Sequence, residues 1–343
     1  MKVPVEICAQ GLASALAAGE GGAARVELCE SLAGGGVTPS AGAIAVASAQ
    51  LSIPVHVLIR PRGHDHRFIY STPEQEAMRR DIDVTKQAGA SGVVLGLLTP
   101  KGRVDVEGTA RLVERARPLS VTFHKAFDAS RDPYEAIEDL IGIGVDRVLT
   151  SGFVTTALEG LETLRGLTRQ AGRRIVVMAG GSIHRNQIKA LIAAGLREIH
   201  IGSNATIGGV TDAGEVRRIV EEATMTEVYH ITTRTEWDLA LAHGAYRPPS
   251  LATEGFIHAS TGSQVAGTAH RFFRGVEGLV VLKIDLDRVT APVDWSNSPH
   301  STDPFPHIVG ALNLDAVTGT LPLEPSPDGE FRWPPDGAPR EEC

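Results

Sequence analysis

The chain is poor in cysteine, contains no long apolar run and carries no excess of positive charge, and each scarcity removes a class of protein. Cys8, Cys29 and Cys343 are the three cysteines in 343 residues. An odd, small number does not build a disulfide framework, and without an export signal the thiols belong in a reducing compartment. No apolar run approaches the roughly 18 to 20 residues that a membrane-spanning helix needs. The N-terminus passes from one lysine straight into strand-like sequence, unlike a secretory signal peptide. The 33 Lys and Arg are outnumbered by 41 Asp and Glu, a net charge of −8, which argues against a general nucleic-acid binder and against a membrane-surface protein. The expectation is a cytoplasmic protein with neither nucleic acid nor membrane as partner. What is present is ordinary for a soluble fold, 42% hydrophobic and 22% charged, in a length that suits one large domain or two ordinary ones.

Over the first 222 residues, eight short β-branched runs alternate with longer Ala-, Leu- and Glu-rich runs. The strand-like runs are Val3–Ala9, Arg25–Glu30, Pro54–Arg60, Gly92–Gly96, Ser120–Ala126, Arg147–Ser151, Arg174–Ala179 and Glu198–Gly202. Helix-like segments such as Thr72–Ala88, Asp132–Ile143 and Asn186–Ala194 lie between them. Several end at a glycine (Gly89, Gly144, Gly195) that supplies a left-handed cap. Asp132-Pro133 reads as an N-cap followed by proline in the first turn. This alternation predicts right-handed crossovers and a parallel sheet. Eight near-equal units predict an α/β fold, a closed TIM-type (β/α)8 barrel over residues 1–223 with its working site at the C-terminal ends of the strands; an open doubly wound sheet is the alternative. After Ala223 the pattern changes. Thr224–Glu227 reads as a linker, and residues 228–330 read as a small α+β domain. Its expected strands are Phe256–His258 and Leu279–Ile284, and its expected helices Thr235–His243 and Ser263–Phe273. Pro and Gly crowd the chain after Glu324, and residues 331–343 read as a loose tail.

Side chains alternate along a strand between the barrel interior and the helices. If Val5, Ile7, Val26 and Leu28 face the helices, then Glu6/Cys8 and Glu27/Cys29 point inward, a repeated Glu-x-Cys on neighbouring strands. The same parity turns His56, Leu58, Arg60, Thr122, His124, His200 and Gly202 inward. Barrel interiors are ordinarily packed with branched apolar residues, and an unpaired carboxylate in such a medium costs on the order of tens of kcal/mol. These groups must therefore pair with each other, bind water or bind a ligand; a structural network and a ligand site are both open. Glu6, Glu27 and His124 are candidates for proton chemistry, with Asp128 either orienting His124 or pairing with Lys125. Arg60 and Arg62, in a loop that also carries Asp65, suit a carboxylate or phosphate. Gly181-Ser182 and Gly202-Ser203 follow the seventh and eighth strands, where many barrels bind phosphate. Cys8 and Cys29 stand at equivalent places on strands about 4.8 Å apart, within reach of one soft ion such as Cu(I); two small buried hydrophobes is the plainer reading.

At these residues a resemblance enters. Val5-Glu6-Ile7-Cys8, Arg25-Val26-Glu27-Leu28-Cys29, Gly35-Gly36-Val37-Thr38-Pro39-Ser40, Ile59-Arg60-Pro61-Arg62-Gly63, Thr122-Phe123-His124-Lys125-Ala126-Phe127-Asp128, Leu149-Thr150-Ser151-Gly152 and Met178-Ala179-Gly180-Gly181 resemble the CutC family over essentially residues 1–222. The resemblance implies a TIM-type barrel, a cytoplasmic homo-oligomer and a role in copper homeostasis. Two departures alter the mouth: Arg62-Gly63-His64-Asp65-His66 where the family usually reads Arg-Gly-Gly-Asp-Phe, and Ser182 where glycine is common. The second segment, through Val228-Tyr229-His230-Ile231-Thr232, Glu254-Gly255-Phe256-Ile257-His258-Ala259-Ser260 and Phe305-Pro306-His307-Ile308-Val309-Gly310, resembles the DUF952 family. Tyr229-His230-Ile231-Thr232 is also similar to the entry motif of ADP-ribosyltransferase-like folds, a fold-level analogy. His230, His258 and His307 are candidates for a pocket there. Two functions remain open. One is a copper homeostasis protein holding Cu(I) through Cys8 and Cys29. The other is a TIM-barrel enzyme of lyase, isomerase or hydrolase type that acts on a small phosphorylated or carboxylated metabolite.

Overall fold

Strands whose apolar residues face helices, each followed by a helix that brings the chain back, leave parallel pairing as the route to burial. The computed structural model, which describes residues 3–224, 227–262, 264–297, 304–326 and 328–333, separates into two units that divide after Thr224. In the first, β1 (Val5–Gln10), α1 (Gly11–Glu20), β2 (Arg25–Cys29), α2 (Ala41–Gln50), β3 (Val55–Leu58), α3 (Thr72–Gln87), β4 (Gly92–Leu95), α4 (Val106–Ala116), β5 (Ser120–Phe123), α5 (Pro133–Ile143), β6 (Arg147–Thr150), α6 (Leu161–Ala171), β7 (Val176–Gly180), α7 (Ile188–Ala193) and β8 (Glu198–Ile201) follow in order. A small hairpin, β9 (Thr206–Ile207) and β10 (Val210–Thr211), precedes α8 (Ala213–Glu222). The eight parallel strands form a closed barrel in sequence order, and β8 returns to β1.

Local chemistry explains the boundaries. Asp132 accepts from the amides of Tyr134 and Glu135, Pro133 opens α5, and Gly144 closes it at φ 82°. Val5, Ile7, Val26 and Leu28 are buried on the face where α1 packs over β1 and β2. The amide of Val3 donates to the carbonyl of Ala223 at 3.0 Å, tying the two ends of the barrel chain together. The strands run one to three residues shorter than the sequence suggests, so Arg60 and His124 lie just beyond β3 and β5.

The second unit is α+β and richer in strand than expected. Its elements are β11 (Glu227–Thr233), α9 (Arg234–His243), β12 (Ala245–Tyr246), α10 (Pro249–Thr253), β13 (Ile257–His258), α11 (Val265–Phe272), β14 (Leu279–Asp285), β15 (Val293–Asn297), β16 (Pro304–Ile308), β17 (Leu312–Asn313) and β18 (Val317–Pro322). They form three antiparallel sheets, β11-β14-β18, β12-β17 and β13-β16-β15. The first sheet is covered on both faces. Val228, Val280, Leu282 and Ile284 join one cluster with Trp237 and Tyr246, while Ile231, Leu279 and Val281 join another with Val265 and Phe331. The expected loose tail begins differently. Phe331 is buried in that second cluster, its amide donates to His270 Nε2 at 3.1 Å, and Trp333 packs edge-on to Tyr229. One aromatic pair outweighs the Pro and Gly around it. The rest of the expected tail, residues 334–343 with Cys343, lies outside the described residues, as do Ser263 and residues 225–226 of the linker. Among the described residues no helix is long and apolar enough to cross a membrane.

Candidate functional site

Register decides which inward charges meet. Glu6 stands opposite Arg25 on one side and His200 on the other, and Glu27 stands opposite Cys8 and His56. Arg25 Nε donates to Glu6 Oε2, and His200 Nδ1 lies 2.8 Å from Glu6 Oε1. Arg25 Nη2 also donates to Glu198 at 2.7 Å and to Met178 Sδ at 3.3 Å. Arg147 donates to Glu198 at 2.8 Å and to Ser120 Oγ at 2.9 Å. Burial alone would raise the Glu6 carboxyl, but the Arg25 charge and the His200 hydrogen bond outweigh it and hold Glu6 well below the usual carboxylate range. Glu6 is therefore a charged, paired group. Glu27 differs. It has His200 Nε2 at 3.5 Å, and burial, with the Glu6 charge nearby, raises it to about 7. Burial opposes charge on His200, but the Glu6 hydrogen bond and the Glu27 carboxylate raise its pKa. Burial lowers His56 to about 4, and its Nδ1 has no hydrogen-bond partner among the described residues.

Two residues further along the same strands, the thiols of Cys8 and Cys29 stand 3.7 Å apart. Leu58, Val94 and the partly buried Leu32 surround them. Contact with Cys29, then burial and the Glu27 charge, push the Cys8 thiol well above its ordinary range, so a metal bound there would have to displace thiol protons. Cys8 Sγ, a Glu27 oxygen and a His200 ring nitrogen lie within 4.8 Å of one another. Metal–thiolate bonds of about 2.3 Å span sulfurs up to about 4.6 Å apart, and the 3.7 Å separation falls inside that reach. Cys8 Sγ thus stands between the Cys29 thiol on one side and a carboxylate and an imidazole on the other, donors of soft-to-borderline character.

In the loops above the barrel, the two arginines expected to face an anion are engaged within the protein. Arg60 Nη1 donates to the carbonyls of Gly35 and Gly36, and Nη2 donates to that of Asp65 at 3.0 Å. Gly35 has φ 85°, and a Cβ there would lie 2.8 Å from Arg60 Nη1, so only glycine admits this approach. Arg62 donates to Asp65, to Glu74 at 2.5 Å and to the Ile69 carbonyl at 2.6 Å. Asp65 also accepts from the Arg67 amide at 2.9 Å. These residues hold the loop itself, and a bidentate guanidinium face for a ligand is not presented. His124 Nδ1 accepts from the Ala126 amide at 3.1 Å. Burial, with Arg60 nearby, lowers His124 to about 3, and the Phe68 ring lies 5.0 Å from its own. No hydrogen bond joins Asp128 to His124 among the described residues. Asp128 accepts instead from Thr150, from the Ser151 amide and hydroxyl at 3.0 Å each, and from the Phe153 amide at 3.3 Å. It also lies 3.9 Å from Lys125, the pairing alternative. The Gly181 carbonyl accepts from Ala157 at 3.0 Å. Asn204 Nδ2 donates to Ile183 O at 2.8 Å, which joins the loop of Gly181 and Ser182 to that of Gly202 and Ser203.

In the second unit, His230, His258 and His307 do converge, on one cavity of about 720 Å³. β13 pairs with β16 so that His258 stands opposite His307, while His230 reaches in from β11 with Nδ1 2.5 Å from the His258 carbonyl.

Comparison with known proteins agrees with this architecture. The CutC family matches residues 3–207. The chain belongs to the CutC family. CutC relatives from Xanthomonas campestris pv. campestris and Chromobacterium violaceum are 47% and 48% identical over 210 and 215 residues, spanning 61% and 62% of this chain and 87% and 85% of theirs. A crystal structure of a protein from Streptococcus agalactiae, named for copper homeostasis and CutC, is 31% identical with a TM-score of 0.56 and covers 60% of this chain and all of its own. Residues 231–320 match a protein family of unknown function, DUF952. Within the CutC barrel, the sequence reading overlooks Arg25, Arg147 and Glu198. Parity with Glu27 and His200 places Arg25 and Glu198 on the inner face, so extending the alternation to the first residue of each strand finds them.

Proposed function

We propose that the CutC barrel is a cytoplasmic copper homeostasis module that takes up Cu(I) between Cys8 and Cys29, with His200 and Glu27 as the adjoining polar donors. One observation carries the reading: two thiols 3.7 Å apart under apolar cover, directly beside a carboxylate and an imidazole that reach Cys8. Cu(I) favours thiolates, and a bound ion would offset the cost of holding Glu27 in a buried place. The name of the Streptococcus agalactiae relative points to the same metal. The enzyme reading has less support, because Glu6 is bound to Arg25 and His200 and the donors of Arg62 are occupied within the loop. The test is anaerobic titration of the full chain with Cu(I) against a competing chelator. Uptake of about one ion per chain, lost in Cys8→Ser/Cys29→Ser and retained in Cys343→Ser, is the expected result. Unchanged affinity in the double variant removes the reading.

A further inference from the structure

The cavity of the second unit has a chemistry of its own. Its walls are aromatic. Phe256 and His307 lie with ring centroids 4.2 Å apart, His258 meets His307 at 5.3 Å, and Phe272 and Phe305 also line it. Two acidic side chains and one arginine line this space: Glu236, Glu254 and Arg271. Glu254 is paired with His258 Nε2 at 3.1 Å. Arg271 is exposed, with its guanidinium 6.0 Å from the Phe272 ring. Glu236, half-buried, forms no ion pair among the described residues. Its Oε2 accepts the Thr232 hydroxyl at 2.7 Å, Thr232 accepts from Tyr246 at 2.9 Å, and the Tyr246 oxygen lies 2.7 Å from His230 Nε2. That chain holds one oxygen of the carboxylate in place.

From this arrangement we propose that the cavity binds a small organic cation, an amine or alkylammonium with an apolar or aromatic body, its charge seated against Glu236. A partly desolvated carboxylate without a cation is costly, and its place in the first turn of α9 offsets only part of that cost. The π faces around it carry negative potential, which attracts a cation and repels an anion. Two of the three lining histidines do not supply the charge, since burial lowers His230 to about 4 and burial, with His258 beside it, lowers His307; the third, His258, is engaged with Glu254. The volume of about 720 Å³ lies within the roughly 300–1,000 Å³ of small-molecule sites.

The test uses the full chain, calorimetry at neutral pH and three probes of one shape: benzylamine, which is an ammonium there, benzyl alcohol and benzoate. Benzylamine is expected to bind saturably, about tenfold or more tighter than benzyl alcohol, with benzoate weakest. Glu236→Gln, which keeps an acceptor for Thr232, should bring benzylamine to the level of the alcohol. Phe256→Ala should weaken both. Benzoate binding best, alcohol matching amine, an unchanged Glu236→Gln affinity or no saturable binding by any probe each overturns the proposal. If Glu236→Gln does not fold, the ranking of the three probes on the unaltered chain decides.

Discussion

Replacing Arg25 with leucine removes the cation that Glu6 and Glu198 share and leaves everything else in the barrel layer in place. The two carboxylates do not lose equally. Glu198 keeps Arg147 at 2.8 Å, whereas Glu6, almost wholly buried, keeps among the described residues only His200 at 2.8 Å as an ion-pair partner. Breaking a buried pair by removing one partner costs about 3–5 kcal/mol, and the retained His200 contact puts the expected loss near the lower end. In a unit of this size each kcal/mol moves the melting temperature by about 2–4 °C, so a fall of roughly 6–12 °C is expected. The sign of the pH dependence follows from Glu6. Its carboxyl is held below its ordinary value of 4.5, so its stabilising contribution is present above that value and is lost as pH falls through the folded one. Without Arg25, burial is no longer outweighed and Glu6 takes up its proton at higher pH. The deficit of Arg25→Leu relative to the unaltered chain should therefore be largest near neutrality and narrow on acidification. Glu6→Gln combined with Arg25→Leu should cost less than Arg25→Leu alone, because no buried charge is stranded. Trp237, Trp295 and Trp333 all lie beyond residue 224. Tryptophan emission thus records the second unit separately, and a far-UV circular dichroism transition that emission does not share belongs to the barrel. A shift under about 2 °C, a deficit that widens toward acid, or a double variant worse than the single one would refute the reasoning.

Two further outcomes follow from the geometry. Asp128→Asn should lower barrel stability by about 1.5–3 kcal/mol in urea unfolding, since an amide nitrogen would meet donors from Thr150, Ser151 and Phe153. The same substitution should leave the NMR titration of His124 unmoved; a displaced titration would restore Asp128 as the orienting group. In the second unit, burial holds His230 at about 4, below its ordinary 6.5. The unfolded chain therefore binds the proton first, and stability should fall as pH drops from about 6.5 to about 4, by at most roughly 3 kcal/mol. Unfolding midpoints followed by tryptophan emission would measure this, and a flat profile or one rising toward acid counts against it.

Alternation within each strand made the barrel interior readable, because a period of two assigns Glu6 and Cys8 to one face and Val5 and Ile7 to the other without any knowledge of neighbours. It assigns a side, not a partner. Whether Glu6 stands free for proton chemistry or bound to Arg25 depends on the register of β1 against β2, which no local pattern contains. The loop arginines show the same limit. Their charge suggests an anion, but the groups that occupy Arg60 are carbonyls of Gly35 and Gly36, about two dozen residues earlier in the chain. Asp128 likewise meets donors from residues 150–153. The three histidines of the second unit are conspicuous in sequence, yet Glu236, the cavity carboxylate without an ion pair among the described residues, is not. An acidic residue in the first turn of a helix is ordinary there, and only the fold turns it toward an aromatic cavity.

The hydrogen bond from Val3 to Ala223 gives the barrel a seam at which its start and finish touch. A ring closed in this way has no privileged point of entry: linking those two residues and opening the chain at the exposed turn near Lys101 would preserve every strand neighbour. Circular permutants of the isolated barrel sequence should therefore retain its architecture, and the order in which the units are encoded is separable from the order in which they sit around the ring.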